Sequence, residues 1–197
     1  MMKYRIVNIK NLSDSQFDSA FEKMSEERKA KCLRYKFLED RRRMAFGEDA
    51  LRNLICEAYA VSENEVTIKS LPSGKPVATA KGKEVFVSIS HSDDFVACAV
   101  SDTPVGIDLE AKREVKPSLF KALKADELRF LKENEDESSA FLKIWTAKEA
   151  YLKITGEGLA GLDKAEVLPF ILKGFSDSLK AETNHTHQYF CTIIYEA

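Results

Sequence analysis

The sequence predicts an α+β protein, and three observations predict it. Apolar residues recur at helical spacing across residues 13–59 and again across 117–154. Runs between residues 84 and 113 alternate apolar and polar with the period of two expected of a half-buried strand. The stretch from Tyr189 to Tyr195 is rich in β-forming residues. No G-x-x-x-x-G-K-[ST] and no G-x-G-x-x-G is present, which argues against an ordinary nucleotide kinase or a Rossmann enzyme.

Taken in order, MMKYRIVNIKN reads as a strand, with no apolar core of the kind a secretion signal needs. Residues 13–59 hold two or more helices: Phe17, Phe21 and Met24 share one face, and Met44, Leu51, Leu54 and Ile55 another. Ser62 to Ile68 is extended, and LPSGKP (Leu71 to Pro76) is a turn with two prolines and a glycine. Glu84–Ser90 and Phe95–Val100 are strands of a hairpin around SHSDD. VGIDLEAKR, Val105 to Arg113, is a further strand. Pro117–Leu131 and Ser138–Ile154 are helices, separated by a charged loop from Lys132 to Glu137. Ser138 or Ser139 can cap the second helix, and Gly156 lies just past its end. GEGLAG (Gly156 to Gly161) leads to apolar stretches at Val167–Leu172 and Tyr189–Tyr195, and no internal repeat is visible.

The composition, 44% apolar and 31% charged over 197 residues, is that of a soluble globular protein with one sizeable core or two small joined ones. No apolar run approaches the ~20 residues of a membrane span. Cys32, Cys56, Cys98 and Cys191 form no C-x-x-C and no cluster, and read as reduced cytosolic thiols. The net charge of −2 hides an asymmetry: RKAKCLRYKFLEDRRR, Arg28 to Arg43, carries +6 and the remainder −8. Such local charge suits a phosphorylated ligand or an acidic partner, and equally a solvated helix face. One short patch without an aromatic platform does not favour nucleic acid.

Two stretches carry chemistry. In VGIDLE, Asp108 and Glu110 stand on one side of a strand, roughly 6.6 Å apart, where they repel unless water, a cation or basic groups intervene. A solvated outer face is the plainer reading. In SSAFLKIWTAKEAYLK, Phe141, Leu142, Ile144, Trp145, Tyr151 and Leu152 form an apolar arc with Lys148 in its middle. Glu149 and Lys153 sit on its flank as i,i+4 neighbours, either a routine surface pair or a cleft pair in which Lys148 and Lys153 hold phosphate oxygens. Three carboxylates, Asp108, Glu110 and Glu149, completed by water and phosphate oxygens, suit Mg²⁺ beside a polyphosphate. No nucleophilic Ser-His or Cys-His arrangement is identifiable. His185 and His187 have ligand spacing without a third partner and read as surface residues.

Combined, these stretches resemble the 4′-phosphopantetheinyl transferase superfamily of the surfactin-synthetase-activating type. The resemblance rests on Gly106-Ile107-Asp108-Leu109-Glu110, on Trp145-Thr146-Ala147-Lys148-Glu149-Ala150-Tyr151-Leu152-Lys153, and on Gly74-Lys75-Pro76 and Ser90-His91-Ser92. It extends to Glu27–Cys32, Glu39–Arg43 and Gly156-Glu157-Gly158-Leu159, and so covers roughly Glu27 to Leu162.

The resemblance implies transfer of 4′-phosphopantetheine from coenzyme A to a serine of an apo acyl or peptidyl carrier protein, releasing adenosine 3′,5′-bisphosphate. It implies Mg²⁺, or Mn²⁺ in its place, held by Asp108, Glu110 and Glu149. Catalysis falls to Glu149 as base, Lys153 at the cleaved phosphate, Asp108 and His91. Coenzyme A contacts fall to Arg28, Lys31 and Arg43 around the ribose 3′-phosphate, with Arg28 standing where the family has lysine. Lys75, His91 and Lys153 are further phosphate contacts, and Pro76 and Ser90 line the nucleotide site. The implied architecture is a cytoplasmic pseudo-twofold monomer of two similar α/β halves, with coenzyme A at their junction and neither nucleic acid nor membrane as partner. SDTP, Ser101 to Pro104, divides it into residues 1–103 and 104–197. Two rivals use the same residues: a degenerate module that binds coenzyme A or carrier without chemistry, and a Mg²⁺-dependent hydrolase of pyrophosphate-linked cofactors.

Overall fold

A computed structural model describes residues 1–156 and 158–197. Glu157, part of the G-x-G-L resemblance, lies outside the described residues. The chain divides into two compact units, Met1–Pro104 and Val105–Ala197, and its fold is α+β.

In the first unit, β1 (Met2–Asn8) precedes three helices, α1 (Asp14–Glu22), α2 (Glu26–Leu33) and α3 (Leu38–Tyr59). Ser13 and Ser25 cap the first two by accepting from the backbone N–H groups of Gln16 and Arg28, the usual device for orphaned helix-start donors. Strands β2 (Val66–Ser70), β3 (Pro76–Ala80), β4 (Lys83–Ser92) and β5 (Phe95–Ser101) complete an antiparallel sheet in the order β1-β5-β4-β3-β2. The expected hairpin around SHSDD is the β4–β5 pair, with Asp93 turning the chain at φ 51°. Leu51, Leu54 and Ile55 of α3 pack with Ile68, Val87 and Val100 in the core.

The second unit opens with β6 (Val105–Ala111), followed by α4 (Ala125–Lys132), α5 (Glu137–Thr155), α6 (Leu168–Lys173), β7 (Phe175–Ser176), β8 (Leu179–His185) and β9 (Tyr189–Glu196). Its antiparallel sheet runs β6-β9-β8-β7.

Two expectations are corrected here, and one stretch left without an element gains one. The helix expected over Pro117–Leu131 is broken. A 3₁₀ turn covers Pro117–Ala122, and α4 starts afresh where the Glu127 carboxylate reaches back 2.8 Å to the Lys124 N–H. Asp136 rather than Ser138 or Ser139 caps α5, its Oδ1 accepting from the Ser139 N–H at 2.9 Å, while the Ser138 hydroxyl accepts from the Val115 N–H at 3.0 Å. The apolar stretch at Val167–Leu172 is largely helical, as α6.

Candidate active site

The site in the second unit begins with a glycine. A Cβ added at Gly106 would lie 1.9 Å from the Ala150 carbonyl oxygen, so only glycine lets the α5 backbone come this close to β6. Gly106, Asp108 and Glu110 share one strand face with their β9 partners Ile194, Thr192 and Phe190. Helix α5 lies against that face: the hydroxyls of Thr146 and Thr192 meet at 2.9 Å. The carboxylate side of β6 is therefore a helix-facing side rather than a solvated one, and Asp108 is only 6% exposed.

Just under one turn along α5 from Ala150, Lys153 extends its Nζ back to β6. It donates to Asp108 Oδ1 and to the Ile107 carbonyl, each at 2.8 Å. Glu149, one helical turn before Lys153, is half-buried. Burial pushes its carboxyl above the ordinary range, the Asp108 and Glu110 charges add to the rise, and Lys153 opposes it. Asp108, Glu110, Glu149 and Lys153 thus share one electrostatic neighbourhood. Glu110 also pairs with Arg113 at 3.1 Å.

Among the described residues, no three His, Cys, Asp or Glu side chains are drawn into metal-ligating geometry. The donor set nonetheless fits a hard divalent cation: all oxygen, on adjacent elements, with the Asp108 and Glu110 charges adding to the rise that burial imposes on Glu149.

Lys148 is not available for phosphate. Its side chain is fully buried, 2.9 Å from Glu127 Oε1, and donates to the carbonyls of Leu162 at 3.1 Å and Ala165 at 3.5 Å. The ammonium in the middle of the apolar arc is a core ion pair, held because Glu127 is buried opposite it. His185 packs its ring 5.1 Å from that of Phe190, and His187 is exposed.

In the first unit, Arg28, Lys31, Arg43, Pro76 and His91 line a cavity of about 160 Å³. Arg28 and Lys31 come from α2, Arg43 from α3, Pro76 from β3 and His91 from β4, and the sheet and helices bring them together. Tyr35, Met44, Gly74 and Ile89 complete the wall. Lys75 and Ser90 are not among the lining residues; Lys75 is exposed and Ser90 is buried in the β4–β5 ladder. Arg28 is spoken for: its Nε donates to the buried Glu48 and its Nη1 to Ser70 Oγ. Arg43 is held by the Asp93 carbonyl at 2.9 Å and by Asp40 at 2.7 Å. Sequence reasoning missed Tyr35, Met44 and Ile89. Each lies within a few residues of a cation or histidine that it did single out, and their position in the wall was the only missing signal.

Comparison with known proteins places the chain in a family. Residues 104–194 match the family model described as the 4′-phosphopantetheinyl transferase superfamily, and residues 11–103 match that of the 4′-phosphopantetheinyl transferase N-terminal region. The chain is 32% identical over 166 residues to the 4′-phosphopantetheinyl transferase psf-1 of Bacillus pumilus, covering 81% of this chain and 71% of that protein. The chain belongs to the 4′-phosphopantetheinyl transferase superfamily. It is also 32% identical over 163 residues to the transferase HetI of a Nostoc species, covering 78% of this chain and 68% of the other. To the transferase Sfp of Bacillus subtilis it is 27% identical over 164 residues, covering 81% and 72%. As a 4′-phosphopantetheinyl transferase the chain is an enzyme, and no helix among its described residues is long and apolar enough to cross a membrane.

Proposed function

We propose that this transferase moves 4′-phosphopantetheine from coenzyme A to a serine hydroxyl of an apo acyl or peptidyl carrier protein, in a Mg²⁺-dependent reaction that releases adenosine 3′,5′-bisphosphate. The observation that carries the reading is the grouping on β6 and α5 of Asp108, Glu110, Glu149 and Lys153, with Lys153 bonded to Asp108 at 2.8 Å. The carrier brings the nucleophile, so the enzyme has to supply position, charge neutralisation and a base.

The serine oxygen attacks the phosphorus bearing the pantetheine arm. A new P–O bond forms, the pyrophosphate P–O bond breaks, and its electron pair leaves with the adenosine bisphosphate. Glu149 takes the serine proton, directly or through water, and burial, by raising its carboxyl, makes it a stronger base than an ordinary glutamate. Lys153 brings a positive charge to the phosphate being cleaved, while its bond to Asp108 holds both groups in place. A divalent ion, Mg²⁺ or Mn²⁺, held by Asp108, Glu110 and Glu149, would offset the pyrophosphate charge.

In the first unit, Lys31 and Arg43 bind the ribose 3′-phosphate in the basic cavity, with Arg28 shaping its wall from a bond to Glu48. His91 and Lys75 add phosphate contacts, and Pro76 and Ser90 shape the nucleotide side. Residues 1–103 thus serve nucleotide binding and residues 104–197 the transfer. The enzyme works as a cytoplasmic monomer.

Intact-mass measurement of an apo carrier incubated with the enzyme, coenzyme A and Mg²⁺ tests this. A gain of one phosphopantetheine that EDTA abolishes is expected. Loss of coenzyme A with no labelled carrier would point instead to a hydrolase, and binding without either change to a non-catalytic module.

A further inference from the structure

Directly behind the wall of the basic cavity lies a charge of the wrong sign for it. Glu48 of α3 is 1% exposed and stands between two arginines that are themselves buried, Arg28 of α2 and Arg52 one turn further along α3. Its Oε2 accepts from Arg28 Nε, and its Oε1 faces Arg52 Nη2 at 3.5 Å. Arg52 Nη1 donates to the Val66 carbonyl at 2.8 Å and Arg28 Nη1 to Ser70 Oγ, so the two arginines are tied to opposite ends of β2. A buried ion triad adds little stability over apolar residues of the same volume. The Lys148–Glu127 pair is sealed in the core, whereas this triad has one side on a cavity, because Arg28 is also a lining residue.

Only part of Arg28 is committed. Nε and Nη1 have acceptors, and Nη2 has none among the described residues. Nor is Nη2 one of the buried polar atoms that lack a partner, so it reaches solvent, and Arg28 lines the cavity. The side chain starts on α2 and is held from α3 and from β2, so three elements fix the plane of its guanidinium. Ser70 stands opposite Pro76 in the β2–β3 register, and Pro76 lines the same cavity. A loose arginine has to be immobilised by each arriving anion; this one is immobilised beforehand.

We infer that Glu48 and Ser70 are positioning residues for coenzyme A: they hold the Arg28 guanidinium so that Nη2 meets the ribose 3′-phosphate. This rests on the function proposed above, in which that phosphate enters the basic cavity. Charge and position predict opposite outcomes. A carboxylate behind a phosphate site repels the phosphate, so on charge alone its removal tightens binding. A carboxylate that acts by holding Arg28 weakens binding when removed, because each phosphate must then order the side chain itself. Ser70 carries no charge, so charge alone predicts no effect there, and position again predicts weaker binding.

Titration calorimetry of the intact enzyme with coenzyme A and with 3′-dephospho-coenzyme A, both in Mg²⁺, tests this. The readout is the preference for coenzyme A, the ratio of the two dissociation constants. Gln has one acceptor where the carboxylate has two, and its N–H₂ opposes the second arginine. Glu48→Gln and Ser70→Ala are each expected to weaken coenzyme A about fivefold, the cost of ordering one long side chain, with 3′-dephospho-coenzyme A within about twofold. Arg28→Met should lower the preference at least as far, and adding Glu48→Gln to it should change the preference by less than about twofold, since the two act as one unit. Thermal melts check folding, and Ser70→Ala carries the test alone if Glu48→Gln does not fold. Tighter coenzyme A binding by a folded Glu48→Gln enzyme, an unchanged preference in the folded variants, equal weakening of both ligands, or a further loss of preference in the Arg28→Met background would each overturn the inference and leave the proposed function standing. A wild type that binds the two ligands equally would overturn the placing of the 3′-phosphate in this cavity, and the inference with it.

Discussion

Replacing Gly106 with alanine tests whether strand and helix set the site geometry through one backbone contact. The added Cβ would sit 1.9 Å from the Ala150 carbonyl oxygen, 2.9 Å from its carbon and 3.2 Å from Ile154 Cγ1. Real Cβ contacts essentially never fall below 3.0 Å, so α5 must retreat from β6 by at least about 1.1 Å, the difference between 3.0 and 1.9. Two backbones meet here, so no rotamer change relieves the clash. The retreat stretches the 2.8 Å bonds from Lys153 to Asp108 and Ile107 out of hydrogen-bond range. Overpacking of this kind costs about 1–3 kcal/mol. With a urea slope of about 2 kcal/mol per molar, a middle value lowers the unfolding midpoint by about 1 M. If this pair serves the transfer as proposed, a displacement of about 1 Å costs on the order of 100-fold in kcat. The assay pairs single-turnover carrier labelling with urea unfolding followed by Trp145 fluorescence. Wild-type kcat together with a wild-type midpoint would refute the reasoning, because it would mean that α5 does not rest on Gly106.

Three further perturbations separate the groups. Glu149→Gln removes the proposed base and should lower kcat by about 100-fold or more, yet it should melt higher than the wild type at neutral pH in EDTA. The folded carboxyl titrates above its unfolded value, so the folded state binds the extra proton between the two, and stability falls as pH rises through that window. The difference in melting temperature should therefore close as pH drops through the ordinary carboxylate range. Lys148→Met strands Glu127 in the core and should cost about 3–5 kcal/mol in urea unfolding, most of which Glu127→Leu in the same chain should restore. Lys31→Ala should raise KM for coenzyme A about tenfold with the carrier KM unchanged, since one charge-assisted phosphate contact is lost; titration calorimetry with coenzyme A checks it directly.

The strands and the helical regions were legible because period two and period 3.6 are local properties. The β4–β5 hairpin, the helices of residues 14–59 and the extent of α5 could all be placed from spacing. What failed was nonlocal. The helix expected over Pro117–Leu131 breaks where Glu127 commits one oxygen to the Lys124 N–H and the other to Lys148, and nothing in the helical pattern announces a partner 21 positions away. The strand VGIDLE carried the pattern of one wet face, but which neighbour covers that face is a property of the sheet. Ile194, Thr192 and Phe190 of β9 join Gly106, Asp108 and Glu110 on a single side, and α5 closes over it. In the first unit, the cations of residues 28–43 were visible as charge, but not their division of labour. Arg28, Lys31 and Arg43 all line the cavity, but Arg28 also balances buried Glu48, while Arg41 braces a loop.

The two carboxylates of β6 make physical sense only together with α5. Three consecutive residues of that helix meet three different environments: Lys148 is consumed by the core, Glu149 faces the Asp108 and Glu110 charges, and Ala150 gives its carbonyl to the space above Gly106. The residues on either side of Glu149 are thus each fixed by a contact that has no freedom of its own, one by buried ion pairing and one by backbone contact. A half-buried carboxylate held near another would normally move away or bind a proton. Here the clamps forbid the first, so burial, with the Asp108 and Glu110 charges adding to it, is kept in the folded state as a raised carboxyl. A cation or an arriving proton would relieve it, and in that sense the fold suits Glu149 to the role of base proposed for it.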